Sequence, residues 1–81
     1  MSKPVYVIIH TRDMDDLDVF VYSSLRLAVK DAIDALEPGD ADVSGQDATE
    51  ALKAWDGKES FDVWEEEGRV AMTLARKEVK K

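Results

Sequence analysis

The chain has 81 residues, with 11 Lys or Arg, 18 Asp or Glu, no Cys and a formal net charge of −7. This length predicts a single domain over residues 1–81 and leaves no room for a cofactor-binding domain beside a substrate domain. The lack of cysteine in the sequence excludes a disulfide scaffold, a thiolate zinc site and a cysteine nucleophile. The longest apolar run, residues 5–9, is too short for a membrane span or a signal-peptide core, so we expect a cytoplasmic protein without a membrane partner.

The N-terminal quarter predicts two strands. Residues 5–11 are β-branched or aromatic without a breaker, which indicates a buried strand, central in the sheet if Pro4 marks its start. A polar turn over residues 12–16 precedes a second strand over residues 17–22. Two strands joined by a short Asp-rich connection are typical of a β-hairpin.

The middle of the chain predicts two helices. Ser24 is a candidate N-cap for the first, and Pro38-Gly39 ends it. Its apolar stripe consists of Leu25, Ala28, Val29, Ala32, Ile33 and Leu36. Asp47 followed by Glu50 forms a possible capping box for a short second helix, and Gly57 stands where a C-terminal glycine belongs. The apolar stripe of this second helix consists of Ala48, Ala51, Leu52 and Trp55, which assigns Trp55 to the core.

The last third of the chain changes period. Residues 61–65 favour a strand, residues 66–68 a turn, and residues 70–75 alternate as a further strand, which together predict a second hairpin. Residues 71–81 also contain helix formers, so a C-terminal helix is the alternative there. The element order ββααββ predicts an α+β fold, in which two β-hairpins form a four-stranded antiparallel sheet with two helices packed on one face.

The acidic residues are concentrated in the middle of the chain. Residues 13–67 hold 17 acids and four bases, a net charge of −13. Acids at turns and helix starts serve solubility, or they form a negative surface for a basic partner. Direct nucleic-acid binding is disfavoured because it needs a basic stripe. Carboxylates two residues apart on a strand lie roughly 6.6–6.8 Å from each other and could instead mimic the phosphates of a nucleic acid.

Two short patterns bear on chemistry. Asp40, Asp42, Ser44 and Gly45 match positions 1, 3, 5 and 6 of an EF-hand loop, but position 12 is Ala51 instead of an acid. A small calcium-binding domain is therefore an alternative, while a solvated loop without metal or cofactor is the expectation. The single histidine, His10, lies inside a predicted strand with no nucleophile at a distinctive spacing, and we expect no enzyme.

Two acidic stretches are the candidate partner-binding surface. If Phe61 and Val63 face the core, the next residue in alternation faces outward, where an exposed Trp among acids suits a contact surface. The first-choice residues are Asp62, Trp64, Glu65 and Glu66. The second-choice residues, on the first hairpin, are Asp13, Asp15, Asp16 and Asp18.

Three features together resemble a class of proteins that has no shared sequence motif. They are the hairpin over residues 5–22, the Ser24-capped helix and the acid-rich stretch over residues 13–67. The chain resembles the small acidic accessory proteins of phages and mobile elements, such as anti-CRISPR and other anti-defence inhibitors. The resemblance implies occupation of a basic, nucleic-acid-binding site on a host defence nuclease complex, and it transfers no functional residue. The hairpin followed by Ser-Leu-Arg-Leu-Ala is also similar to the partial ribonuclease-H fold of HicB-type antitoxins, although the glycine-rich turn usual before that family's helix is missing.

Two hypotheses of function follow. The first is a non-enzymatic acidic module that binds a basic protein surface. The alternative is an accessory protein that self-associates, for instance as a homodimer, and whose negative charge serves only solubility. Acids around Trp64 on an exposed face would favour docking on a partner, whereas an exposed apolar patch would favour self-association.

Overall fold

A computed structural model of the protein describes residues 2–12 and 16–80, with two helices and four strands. The elements are β1 (Ser2–His10), β2 (Asp18–Tyr22), α1 (Leu25–Asp34), α2 (Ala48–Lys53), β3 (Phe61–Trp64) and β4 (Val70–Lys80). The strands form one antiparallel sheet. The predicted α+β class, the order ββααββ and the four-stranded antiparallel sheet are therefore confirmed.

The two strands nearest the chain ends form the centre of the sheet. The strand order is β2-β1-β4-β3, so β1 is central as predicted, although the strand begins at Ser2 and Pro4 does not mark its start. All nine residues of β1 pair with β4, from Ser2 opposite Lys80 to His10 opposite Met72. This pairing also decides between the two predictions for the C-terminal stretch, because the chain is a strand from Val70 to Lys80. The helix formers in that stretch are overridden because the ladder to β1 provides their backbone hydrogen bonds.

The pairing of β3 with β4 contains one irregularity. Val63 pairs with Met72, but the next residue, Trp64, pairs with Val70, which leaves Ala71 as an extra residue of β4. A bulge of this kind bends the strand and re-aims the neighbouring side chains.

Both helices begin at the predicted capping residues. The Ser24 hydroxyl accepts a hydrogen bond from the Leu27 amide at 3.4 Å, and the Asp47 carboxylate accepts one from the Thr49 amide at 2.8 Å. Each bond satisfies one of the amides that a helix leaves unpaired in its first turn.

The core contains side chains of the sheet and small residues of the helices. Its largest fully buried side chains are Ile8, Leu52, Val63, Met72 and Leu74, and Ala28, Ala32 and Ala48 of the helices belong to the same buried cluster. Trp55 lies beyond the end of α2 instead of on its predicted apolar stripe, but its partly buried ring packs against this cluster and lies edge-to-face with Tyr6 at 6.2 Å between centroids.

The strand register places a second set of residues on the opposite side of the sheet. Residues directly opposite each other in the ladder share a face, and the face alternates along each strand. We name this side the open face; its residues are Lys3, Val5, Val7, Ile9, Val19, Val21, Asp62, Thr73, Ala75, Lys77 and Val79. Val19 and Val21 are 59% and 63% exposed, whereas Ile8 and Leu74 on the other side have no exposed surface.

Gly57 allows a close approach between a loop and the core. Its φ of +77° lies in the left-handed region, where a side chain is strained. A Cβ atom at this position would also lie 2.9 Å from the Leu25 side chain and 2.9 Å from the Tyr6 ring. Gly57 is therefore required both by its backbone conformation and by its packing.

We expect Gly57→Ala to destabilise the domain by about 2–4 kcal/mol, because backbone strain adds to overpacking against Leu25 and Tyr6. The matched control is Gly45→Ala, where φ is +87° but no atom lies within 4 Å of the new Cβ. The control carries only the backbone cost, about 1–2 kcal/mol. Urea unfolding of both variants measures the difference, and equal losses of stability would contradict the packing role of Gly57.

Candidate protein-binding surface

Arg12 is the centre of an ion-pair cluster that joins three distant segments of the chain. It is the second residue after β1, and its guanidinium lies 2.6 Å from the Asp40 carboxylate and 3.1 Å from the Glu65 carboxylate. It also forms an ion pair with Glu37, which follows α1. We name Arg12, Glu37, Asp40 and Glu65 the Arg12 cluster.

Asp40 is the buried member of the Arg12 cluster, with a side chain only 3% exposed. Besides Arg12, its carboxylate accepts a hydrogen bond from the Glu37 amide at 2.9 Å. The hydrogen bond from Arg12 to Asp40 raises the pKa of the guanidinium above its ordinary value; desolvation opposes this rise, and the neighbouring carboxylates add to it. The Asp40 backbone also accepts a hydrogen bond from Ala48, the first residue of α2. Asp40 thus connects the end of α1, the start of α2 and the end of β1.

A shallow depression of about 320 Å³ lies over this cluster. It is lined by Arg12, Glu37, Pro38, Asp40, Glu65, Glu66, Glu67 and Arg69. Five of these residues are acids and two are arginines, so the lining carries a formal charge of −3. The exposed carboxylates are those of Glu37, Glu66 and Glu67, which we name the acidic rim.

The turn that carries Glu66 and Glu67 is held at both ends. The Glu65 amide donates to the Arg69 carbonyl at 2.7 Å, and the Gly68 amide donates to the Glu65 carbonyl at 2.9 Å. Trp64 exchanges two backbone hydrogen bonds with Ala41, at 2.8 and 2.9 Å. The acidic rim therefore lies on a hydrogen-bonded frame instead of a free loop.

The first-choice residues from the sequence are distributed over different surroundings. Asp62 lies on the open face and accepts a hydrogen bond from the Thr73 hydroxyl at 3.0 Å. Trp64 is half-buried instead of fully outward-facing, and its enclosed indole nitrogen has no hydrogen-bond partner among the described residues. Glu65 pairs with Arg12 and Arg69, while Glu66 is exposed on the acidic rim. Alternation along β3 does not account for the loop after α1, in which Ala41 pairs with the Trp64 backbone.

The second-choice residues are partly described. Asp13 and Asp15 lie outside the described residues. Asp16 and Asp18 are exposed, and Asp18 is opposite His10 in the ladder. The His10 ring itself lies edge-to-face on Phe20, with 5.4 Å between centroids, which gives it a packing role.

The residues of the EF-hand-like pattern are engaged in protein contacts. The Asp40 carboxylate is bound by Arg12, and one oxygen of Asp42 accepts bonds from the Ser44 amide, the Ser44 hydroxyl and the Gln46 amide. Within residues 2–12 and 16–80, no group of three or more His, Cys, Asp or Glu side chains is arranged to hold a metal ion. This geometry gives no support to the calcium interpretation.

The sequence interpretation missed the Arg12 cluster. Arg12 is read there as part of a polar turn, and Asp40 as a possible calcium ligand. The two residues are 28 positions apart, and Arg12 and Glu65 are 53 apart, so no local spacing connects them. Only the sheet and the loop after α1 bring them together.

Comparison with known proteins leaves the chain without an assigned relative. No protein-family model matches it, and neither a curated protein nor a solved structure shows significant similarity to it. Among the described residues, neither helix has the length and hydropathy needed to cross a bilayer.

We expect Arg12→Met to destabilise the fold by about 2–3 kcal/mol, because it leaves Asp40 and Glu65 without their shared counter-charge, an effect reduced by the partial exposure of Arg12. The matched control is Arg69→Met, which also removes a guanidinium beside Glu65 but from a side chain that is 61% exposed. The control should cost under about 1 kcal/mol. Thermal and urea unfolding measure both variants, and a control loss as large as that of Arg12→Met would refute the central role of this cluster.

The second prediction at this surface concerns pH. The hydrogen bond from the Ser44 hydroxyl lowers the pKa of the Asp42 carboxyl, desolvation partly opposes this, and amide donors add to the lowering. A carboxyl group whose pKa is lower in the folded chain stabilises the fold at pH values above its pKa in the unfolded chain, about 3.9. This stabilisation is lost as the pH falls through the pKa of the group in the folded chain. We therefore expect Asp42→Asn to melt below the parent at neutral pH, with a difference that shrinks below about pH 4. Melting curves between neutral and acidic pH test this, and a difference that is constant with pH would disprove it.

Proposed function

We propose that the protein is a non-enzymatic binding module whose acidic rim docks on a basic surface of another protein. The observation that carries this proposal is the geometry of the rim: Glu37, Glu66 and Glu67 stand exposed around a depression that is also lined by the ion-paired residues Arg12, Asp40 and Glu65. Exposed carboxylates at the margin of a concave surface focus the field and speed encounter with a positive partner.

The chemistry of the depression fits a Lys or Arg side chain of the partner. The lining carries a formal charge of −3, and Asp40 and Glu65 are already paired with Arg12. Glu66 and Glu67 are exposed, and the Glu67 carboxylate lies 3.3 Å from the Arg69 guanidinium. A basic side chain entering the depression would contact these rim acids without breaking the Arg12–Asp40 pair.

The partner class that we infer is a protein that normally binds nucleic acid. Its binding site is a basic surface, and a compact domain with a net charge of −7 can occupy such a surface in place of phosphates. Because the chain resembles phage anti-defence inhibitors in size, charge and arrangement of elements, we infer that the partner is a nuclease complex of host defence. In this proposal the protein acts by occupying the site and performs no chemistry.

The proposal includes an arrangement of the fold. The pairings of β1 with β2 and of β3 with β4 are two hairpins, and both helices cover the side of the sheet that carries Ile8 and Leu74. The shared buried cluster of sheet and helix residues supports this arrangement. The acidic rim then lies beside the end of β1, and the open face remains a second, separate surface.

We expect the double variant Glu66→Lys with Glu67→Lys to reduce the association rate for a partner recovered by co-purification from the host. The rate of the parent should fall on the order of tenfold between low and physiological salt, and that of the variant should fall much less. The matched control is Asp34→Lys with Glu59→Lys, which makes the same change in net charge at two exposed positions outside the rim. Surface plasmon resonance at two salt concentrations measures these rates.

Two outcomes would count against the acidic rim. If the control slows association as much as the rim variant, net charge alone is responsible and the rim is not the contact. If association of the parent is independent of salt, the acids serve only solubility.

A further inference from the structure

We propose that the open face is the interface of a symmetric homodimer, in which two sheets pack face to face. Its centre is a continuous apolar area of Val5, Val7, Ile9, Val19, Val21 and Ala75. Val19 and Val21 keep more than half of their surface exposed in the single chain. An exposed apolar sheet face of this kind gains free energy when a second apolar surface covers it.

The charges on the open face are complementary to those of a second copy. Among the described residues, Asp62 is the only acid that the strand pairing places on this face, although the chain as a whole is strongly acidic. Lys3 and Lys77 lie towards one end of the face, and Asp62 lies towards the other. The two-fold axis of the proposed dimer lies in the plane between the two sheets and runs perpendicular to the strands. Rotation about this axis reverses the strand direction, so the lysine end of each copy lies over the Asp62 end of its partner.

The shape of the face agrees with the same arrangement. An open depression of about 590 Å³ lies at the Asp62 end, lined by Thr11, Leu17, Asp62, Arg69, Val70 and Thr73. Val79 projects from β4 at the opposite end and is 43% exposed. The two-fold rotation places Val79 of one copy over the β4 side of this depression in the other copy. Two sheets that pack in this way keep their strands within about 30° of each other.

The size of the face predicts a weak dimer. With strands about 4.8 Å apart and a rise of about 3.3 Å per residue, four strands of seven residues cover roughly 450 Å². Two such faces bury roughly 900 Å² in total, which is below the size of a stable specific interface and in the range of weak, transient contacts. We therefore expect a dissociation constant in the micromolar range or weaker.

This inference does not depend on the acidic rim. A dimer could form whether or not the rim binds a basic partner, and loss of rim binding leaves the open face intact. Measurements of self-association therefore test the open face separately from the proposed function.

The first experiment measures oligomeric state by sedimentation velocity over a concentration series from low micromolar to millimolar. We expect the parent to change from monomer to dimer across this range. The double variant Val7→Thr with Val21→Thr keeps the β-branched shape but removes apolar surface, and should raise the dimer dissociation constant by at least about tenfold, since each change occurs twice in the interface. The matched control is Val43→Thr, the same change at a residue that is 85% exposed in a loop outside the face, and it should dimerise like the parent.

The second experiment exchanges the charges. Lys77→Glu alone and Asp62→Lys alone should each weaken the dimer, because each places like charges opposite each other across the two-fold axis. The double variant should restore dimerisation towards the parent level. Melting curves confirm that each variant is folded, and if the Val7 change unfolds the chain, Val21→Thr alone is compared with the control.

Three results would overturn the proposal. One is a parent that stays monomeric up to millimolar concentration. Another is a dimer that persists in the Val7 and Val21 variant but dissociates in Phe20→Ser. Phe20 lies on edge strand β2 and faces the other side of the sheet, so this result would indicate edge-to-edge pairing. The third is a charge-exchanged double variant no better than the single variants.

Discussion

The pairing of β1 with β4 is the constraint on which the rest of the structure depends. It joins the two ends of the described chain over nine residues and makes both strands central. Closing a loop of this length costs conformational entropy that no local contact repays, so the ladder and the core must form together. Ile8 and Leu74, directly opposite each other in this ladder, are both fully buried and are therefore the contact through which the ladder and the core support each other.

Two surfaces with different chemistry result from this arrangement. The acidic rim follows from the connections at one end of the sheet, where Arg12 after β1 pairs with Asp40 and Glu65 from other segments. The open face follows from alternation along the central strands, which places Val7 and Ala75 opposite each other on the side away from Ile8. Charge and apolar area are thus separated, because the turns carry the acids and the strands carry the valines. Under the two proposals made above, one surface would bind a basic partner and the other a second copy of the chain.

The surroundings of the candidate site residues could not be predicted from the sequence. The four first-choice residues fall within a stretch of five positions but have different surroundings. Asp62 lies on the open face and Trp64 is half-buried. Glu65 pairs with two arginines, whereas Glu66 is exposed. Strand alternation predicts only which side of the sheet a residue faces, and it gives no account of distant segments such as Ala41, whose backbone pairs with that of Trp64. Arg12 was not predicted at all, because its significance depends on carboxylates that only folding brings near.

The sequence by itself determined the type and order of the elements as far as β3 and left the C-terminal stretch open between strand and helix. Periodicity, the Ser24 and Asp47 caps and the Pro38-Gly39 break act within a few residues, so they can be recognised without tertiary contacts. Only the tertiary structure decided that residues 70–80 are a strand, that Asp40 pairs with Arg12 and that one sheet face remains open. Each of these depends on residues far apart in the chain, where the local preference is ambiguous and the free energy of long-range pairing and burial decides between the alternatives.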